Sequence, residues 1–140
     1  MHFGRENAVW RYCEKVKSAN KGTAWADARP LYQVKADMFK GLAHPVRVRI
    51  LELLAGAEEV QVTELMRDTG LEPSHLSQHL AVLRRHRLVV ADRRASFVYY
   101  RLAHAEVAQL LAIARELLVR VLEESQDRLS ASQSLPAIGR

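Results

Sequence analysis

Ser74, His75, Ser77, Gln78 and His79 crowd two turns' worth of chain, and Arg84, Arg85 and Arg87 follow close behind. Hydroxyl, amide and imidazole groups match the donors and acceptors of base edges, and guanidinium groups pair with phosphates. A helix carrying both in this order has the side-chain chemistry for a DNA major groove. Other chemistries fit the same residues less well. Ser74, Ser77 and His79 include a nucleophile and a base, but neither an orienting acid nor oxyanion donors accompany them. His75 and His79 stand four apart, yet no glutamate follows His75 as the H-E-x-x-H pattern of zinc proteases requires, and a metal held there would compete with DNA. The chain has no G-x-S-x-G, P-loop, dinucleotide fingerprint or paired carboxylates, so it reads as a protein without catalytic residues.

These groups need elements to hold them. Pro73 fixes φ, lacks an N–H and pushes Glu72 out of the helical region, so a helix starts there. Leu76, Leu80 and Leu83, with Val82 beside them, form its apolar stripe. Upstream, Thr63 is positioned to cap a short helix over Thr63–Thr69 whose Leu65 and Met66 face inward, and Gly70 supplies the left-handed residue that stops it. Helix, short glycine-containing turn and second helix make a helix-turn-helix. Downstream, Val89 and Val90 lead to Asp92, Arg93, Arg94, Ala95 and Ser96, and the run from Phe97 to Leu102 is β-rich, which predicts a basic hairpin beside the second helix. Taken singly, a Ser/His/Gln face is ordinary solvated surface, and an arginine pair at a turn serves solubility. The ordered set of helix, turn, helix and basic hairpin points to nucleic acid.

The remaining chain divides into a scaffold and two ends. Val9, Trp10, Cys13 and Val16 recur at one-turn spacings, so residues 1–30 read as an N-terminal extension, helical at first and packing on a dimer, with a connecting stretch from Ser18 to Pro30. Leu31, Val34, Met38, Phe39 and Leu42 mark a helix ending near His44-Pro45. A second follows at once, with Val46, Ile50, Leu51, Leu53 and Leu54 inward and Arg47 and Arg49 outward, closing at Ala55-Gly56. His44, before the proline, is placed to cap or pack locally. Val60 and Val62 fit a short third strand. Val107, Leu110, Leu111, Ala114, Leu117, Leu118, Val121 and Leu122 then recur in steps of three and four, a stripe too wide and regular for one small domain. It reads as a seam between two copies of the chain. Residues 31–126 therefore form the DNA-binding and dimerisation domain, and residues 127–140 a flexible tail.

Composition agrees. The 140 residues allow one domain with a modest core. Net charge is +5, and residues 67–101 concentrate it, with seven arginines against three acidic groups. That is the footprint expected for a polyanion partner. No apolar run is long enough to cross a bilayer and the N-terminus lacks the apolar core of a signal peptide, so no membrane role and a cytoplasmic location are expected. Cys13 is the single cysteine, which rules out an intrachain disulfide and a cysteine-rich zinc site.

The segments FKGLAHPVRVRILELL, VTELMRDTGLEPSHLSQHLAVLRRHRLV and RRASFVYYRL together resemble the ArsR/SmtB family of bacterial repressors over roughly residues 31–124. The resemblance implies a mainly α fold with a small β-hairpin wing, a winged helix-turn-helix dimerising through terminal helices. It also implies a homodimer on a pseudo-palindromic operator, released or tightened by an inducer. The family's metal sites are not reproduced here. The cysteine-based one falls on Val60, Gln61, Val62 and Thr63, and the one on the last helix falls on His104 and Glu106 completed by Leu117 and Arg120, which cannot ligate a cation. No metal or cofactor is expected. The expected DNA contacts are Ser74, Ser77, Gln78 and His79 on base edges, His75 and Arg85 on backbone or bases, and Arg93 and Arg94 on phosphates or the minor groove. Two alternatives stay open: a winged-helix module that binds protein rather than an operator, and a repressor sensing metal or redox state through Cys13 or His104. The effector, small molecule or ion, is not named by the sequence.

Overall fold

The computed structural model describes residues 29–133. The expected amphipathic stretch around Val9, Trp10, Cys13 and Val16 and the end of the tail, residues 134–140, lie outside the described residues. The chain divides into two compact units, 1–37 and 38–140. Helix α1 (Leu31–Leu42) runs across that division. In the first unit the Pro30 carbonyl accepts from the N–H groups of Gln33 and Val34, at 2.9 and 3.3 Å, and Arg29 pairs with Asp37. The elements expected to face DNA all belong to the second unit.

Helix α2 (Pro45–Ala55) begins at a proline whose missing N–H costs nothing in a first turn. His44 caps it, as the sequence predicts: its backbone is extended and its Nδ1 accepts the Val46 N–H at 3.1 Å. Ile50, Leu51 and Leu54 are fully buried. Arg47, expected to point outward, instead folds back. Its Nε donates to the Gly41 carbonyl at 2.6 Å and its Nη2 to that of Lys40 at 3.2 Å. These carbonyls belong to the last turn of α1, where the intrahelical donors run out, and a guanidinium is a strong donor for them.

Strand β1 (Val60–Gln61) leads directly into helix α3 (Val62–Thr69). Thr63 is therefore not the cap: the helix starts one residue before it, and Gln61, still paired with Tyr99 in the sheet, holds the capping position without a side-chain bond. Val62 accordingly opens a helix rather than extending the strand. Gly70 ends α3 at φ 68°, the left-handed stop its sequence position predicts. Helix α4 (Pro73–Arg85) follows after a short turn. It closes in a Schellman pattern, with the Leu88 N–H on the Leu83 carbonyl (3.0 Å) and the Arg87 N–H on that of Arg84 (2.9 Å). Arg87 occupies the left-handed position at φ 58°, where glycine is the usual residue.

Strands β2 (Val89–Arg94) and β3 (Phe97–Leu102) form the hairpin, pairing Val89 with Leu102 at the base and Arg94 with Phe97 at the tip. Ala95 takes φ 55°, as a two-residue hairpin loop requires. β1 adds to β3, giving an antiparallel sheet of order β1-β3-β2. One core joins the leucines of α2, α3 and α4 to Val60, Val89 and Tyr100.

Helix α5 (Glu106–Gln133) runs 28 residues, roughly 42 Å at 1.5 Å per residue. It passes through the expected tail start at residue 127 and continues to Gln133. Ser125 bonds its hydroxyl back to the Val121 carbonyl without breaking the helix. Among the described residues, no helix is long and apolar enough to cross a membrane.

Candidate nucleic-acid interface

Three leucines hold α4 to the domain: Leu76, Leu80 and Leu83 are all buried. Because a helix turns about 100° per residue, burying that stripe leaves the opposite side outward. Ser74, His75, Ser77 and Gln78 are exposed there, and Arg84 and Arg85 are exposed at the other end. None of these four polar side chains makes a hydrogen bond among the described residues, so their donors and acceptors face solvent ready for a ligand.

His79 differs. It is half-buried, and its ring lies 4.4 Å, centroid to centroid, from that of His44, tilted by 42°. Burial, then the nearby His44, Arg47 and His75, hold its pKa below the ordinary histidine value. His44 accepts a backbone N–H through Nδ1, so that nitrogen carries no proton. The pair ties the start of α2 to the second turn of α4, and His79 is turned further inward than a pure base-contacting residue.

The two wing arginines separate as well. Alternation along β2 sends Asp92 and Arg94 to one face and Ala91 and Arg93 to the other. Arg94 pairs with Glu59 and with Asp92 (3.5 Å) and lies 3.9 Å from the centre of the Tyr99 ring. The hydrogen bond that its guanidinium donates to Glu59 is the main reason its pKa stands above the ordinary arginine value. Arg93 is exposed and in no ion pair among the described residues. Sequence separation hid this division, since Glu59 precedes Arg94 by 35 residues.

The expected seam on α5 also divides. Val107 is not available to a partner: at 6% exposure it is buried in the domain's own core, where Leu110 and Leu111 partly join it. From Ala114 onward the stripe is bare, with Leu117 at 61%, Leu118 at 59% and Val121 at 46% exposure. Ile113 and Leu122, on the same stretch, are equally uncovered. His104 and Glu106 lie exposed at the head of this helix.

Comparison with known proteins agrees with the winged helix-turn-helix fold. Residues 44–90 match the family described as bacterial regulatory protein, arsR family. The uncharacterized HTH-type transcriptional regulator Rv0081 of Mycobacterium tuberculosis is 46% identical over 113 residues, which span 81% of this chain and 96% of that protein. Its crystal structure superposes with a TM-score of 0.65, covering 70% of this chain and 98% of the other at 49% identity. The homodimeric winged helix-turn-helix DNA-binding domain Mb0332 of Mycobacterium bovis, a possible ArsR-family regulator, aligns at 33% identity and TM-score 0.59 over 69% of this chain and 88% of that one. The transcriptional repressor BigR of Xylella fastidiosa aligns at 31% identity and TM-score 0.56, covering 74% and 92%.

Proposed function

The chain belongs to the arsR family of bacterial regulatory proteins, transcriptional regulators rather than enzymes, and from that premise we propose that it is a homodimeric repressor of a pseudo-palindromic operator. The observation that carries this reading is the exposed polar start of α4, held outward by three buried leucines. In this reading Ser74, Ser77 and Gln78 meet base edges, with His79 reaching them from its half-buried position beside His44. His75 and Arg85 meet backbone or bases, Arg93 meets phosphate, and Arg94 joins at the minor groove when it exchanges its acidic partners for DNA. The bare stripe from Ala114 to Val121 supports pairing of α5 with its twin, since a monomer leaving that much apolar surface in water is unfavourable. Two reading heads would then address half-sites about 34–36 Å apart, one helical turn. The dimer works in the cytoplasm, where its operator is.

A gel-shift titration against the DNA upstream of its own coding sequence, at stepped salt concentrations, tests this. Selective, salt-sensitive binding is expected. Gln78→Ala should relax base preference by about 1–3 kcal/mol, whereas Arg93→Ala should weaken all sequences alike and flatten the salt slope by about one unit. No binding even at low salt would favour a winged-helix module that docks on protein instead.

A further inference from the structure

Between α4 and the wing lies a cleft of about 430 Å³ lined by Val62, Ser77, Leu80, Arg84, Ala91, Arg93, Val98 and Tyr100. Two periodicities meet in it. Ser77, Leu80 and Arg84 share one side of α4 at spacings of three and four, while Ala91 and Arg93 share one face of β2 and pair across the hairpin with Tyr100 and Val98. The floor is apolar, with Leu80 and Tyr100 both buried.

Two guanidinium groups line this cleft, and no acidic residue does. On the opposite face of the same hairpin Arg94 has Glu59, Asp92 and the Tyr99 ring. Neither Arg84 nor Arg93 is in an ion pair among the described residues. Two unneutralised cations beside apolar side chains, with the hydroxyls of Ser77 and Tyr100 in the same lining, match an anion that carries a hydrocarbon body. A guanidinium binds a carboxylate through paired N–H donors, and small-molecule sites are apolar cavities of about 300–1,000 Å³ with a few converging polar groups. A backbone phosphate satisfies the arginines but leaves Leu80, Val98 and Val62 unused.

We propose that this cleft binds a small carboxylate with an apolar body, its carboxylate on Arg84 and Arg93 and its hydrocarbon on Leu80, Val98 and Tyr100. The regulatory consequence rests on the operator-binding reading above. Ser77 and Arg93 serve both ligands, so the carboxylate competes with DNA and acts as an inducer. Because the effect is reciprocal, operator DNA lowers affinity for the carboxylate.

The test uses the full chain with octanoate as the probe, and with octanol, inorganic phosphate and chloride at matched ionic strength as controls. Amide NMR shifts report binding, and fluorescence anisotropy of a duplex carrying the chain's own upstream sequence reports competition. Octanoate should saturate one site per chain, shift the amides of Ser77, Arg84, Ala91, Arg93 and Val98, and release the duplex. Octanol and phosphate should do neither. Arg84→Gln should weaken octanoate about tenfold or more by removing a charged pair, and Ala91→Leu, which fills the cleft, should also weaken it. Thermal melting checks that both variants fold. Octanol binding as well as octanoate, or Arg84→Gln binding octanoate unchanged, overturns the proposal. So does a wild type that binds the duplex, ignores octanoate and loses DNA affinity on Arg84→Gln. In that case the cleft holds a backbone phosphate, and the operator-binding reading survives.

Discussion

Replacing Leu117 with alanine tests the dimer most directly, and the structure sets the size of the effect. Burying a leucine completely contributes about 1.5–3 kcal/mol. Leu117 keeps 61% of its surface exposed in the single chain, so about 1–2 kcal/mol remains to be gained from a partner. A two-fold interface contains the residue twice, and Leu117→Ala should therefore weaken the dimer by about 2–4 kcal/mol, on the order of 30- to 900-fold in Kd. Sedimentation equilibrium over a dilution series measures it directly. Glu123→Gln, on the flank of the same helix, serves as the control and should leave Kd nearly unchanged. Circular dichroism at high concentration should show the same helix content in all three proteins, because Leu117 contributes little to the monomer's core. A Leu117→Ala protein that dimerises like the wild type would refute the assignment of this stripe to a symmetric seam. The exposed leucines would then need another partner.

Three other outcomes follow from particular contacts. His79 binds its proton less tightly in the folded protein than in the unfolded chain. Stability should therefore be fully present above about pH 6.5 and fall as pH drops through the folded-state value. Urea melts from pH 7.5 to 5.5 should show that slope in the wild type, and an equal slope in His79→Gln would contradict it. Arg87→Gly removes a side chain from a left-handed backbone position and should stabilise the domain by about 1 kcal/mol, read as a higher urea midpoint at unchanged m. Glu59→Gln releases Arg94 from its closest acidic partner, so DNA affinity should rise and the salt slope steepen by about 0.9; an unchanged slope would mean that Arg94 makes no phosphate contact.

Local rules made much of the fold readable in advance. Pro45, Gly56, Gly70 and Pro73 punctuate the helices where the chain alone indicates, because proline and glycine act on the backbone of their own and adjacent residues. The leucine stripe of α4 and the hairpin strands follow from spacing in the same way. Errors arose where a residue is claimed by a partner outside its own element. Thr63 lost its capping role because β1 pairs with β3 up to Gln61. Arg47 turned inward because the carbonyls of Lys40 and Gly41, at the end of α1, lay within reach of its guanidinium.

The sequence alone determined that a cluster of Ser, His and Gln side chains stands at the start of one helix with arginines at its end, and that a second apolar stripe lies near the C-terminus. Periodicity and backbone preference are properties of short segments and need no tertiary context. Only the folded structure decided how those residues divide their work. It set His79 against His44, neutralised Arg94 with Glu59, and brought Arg84 and Arg93 to the lining of one cleft. It also took Val107 into the monomer's core while leaving Leu117 bare. Each of these depends on the distance between groups far apart along the chain, a quantity that exists only once the helices and the hairpin have packed around their common core.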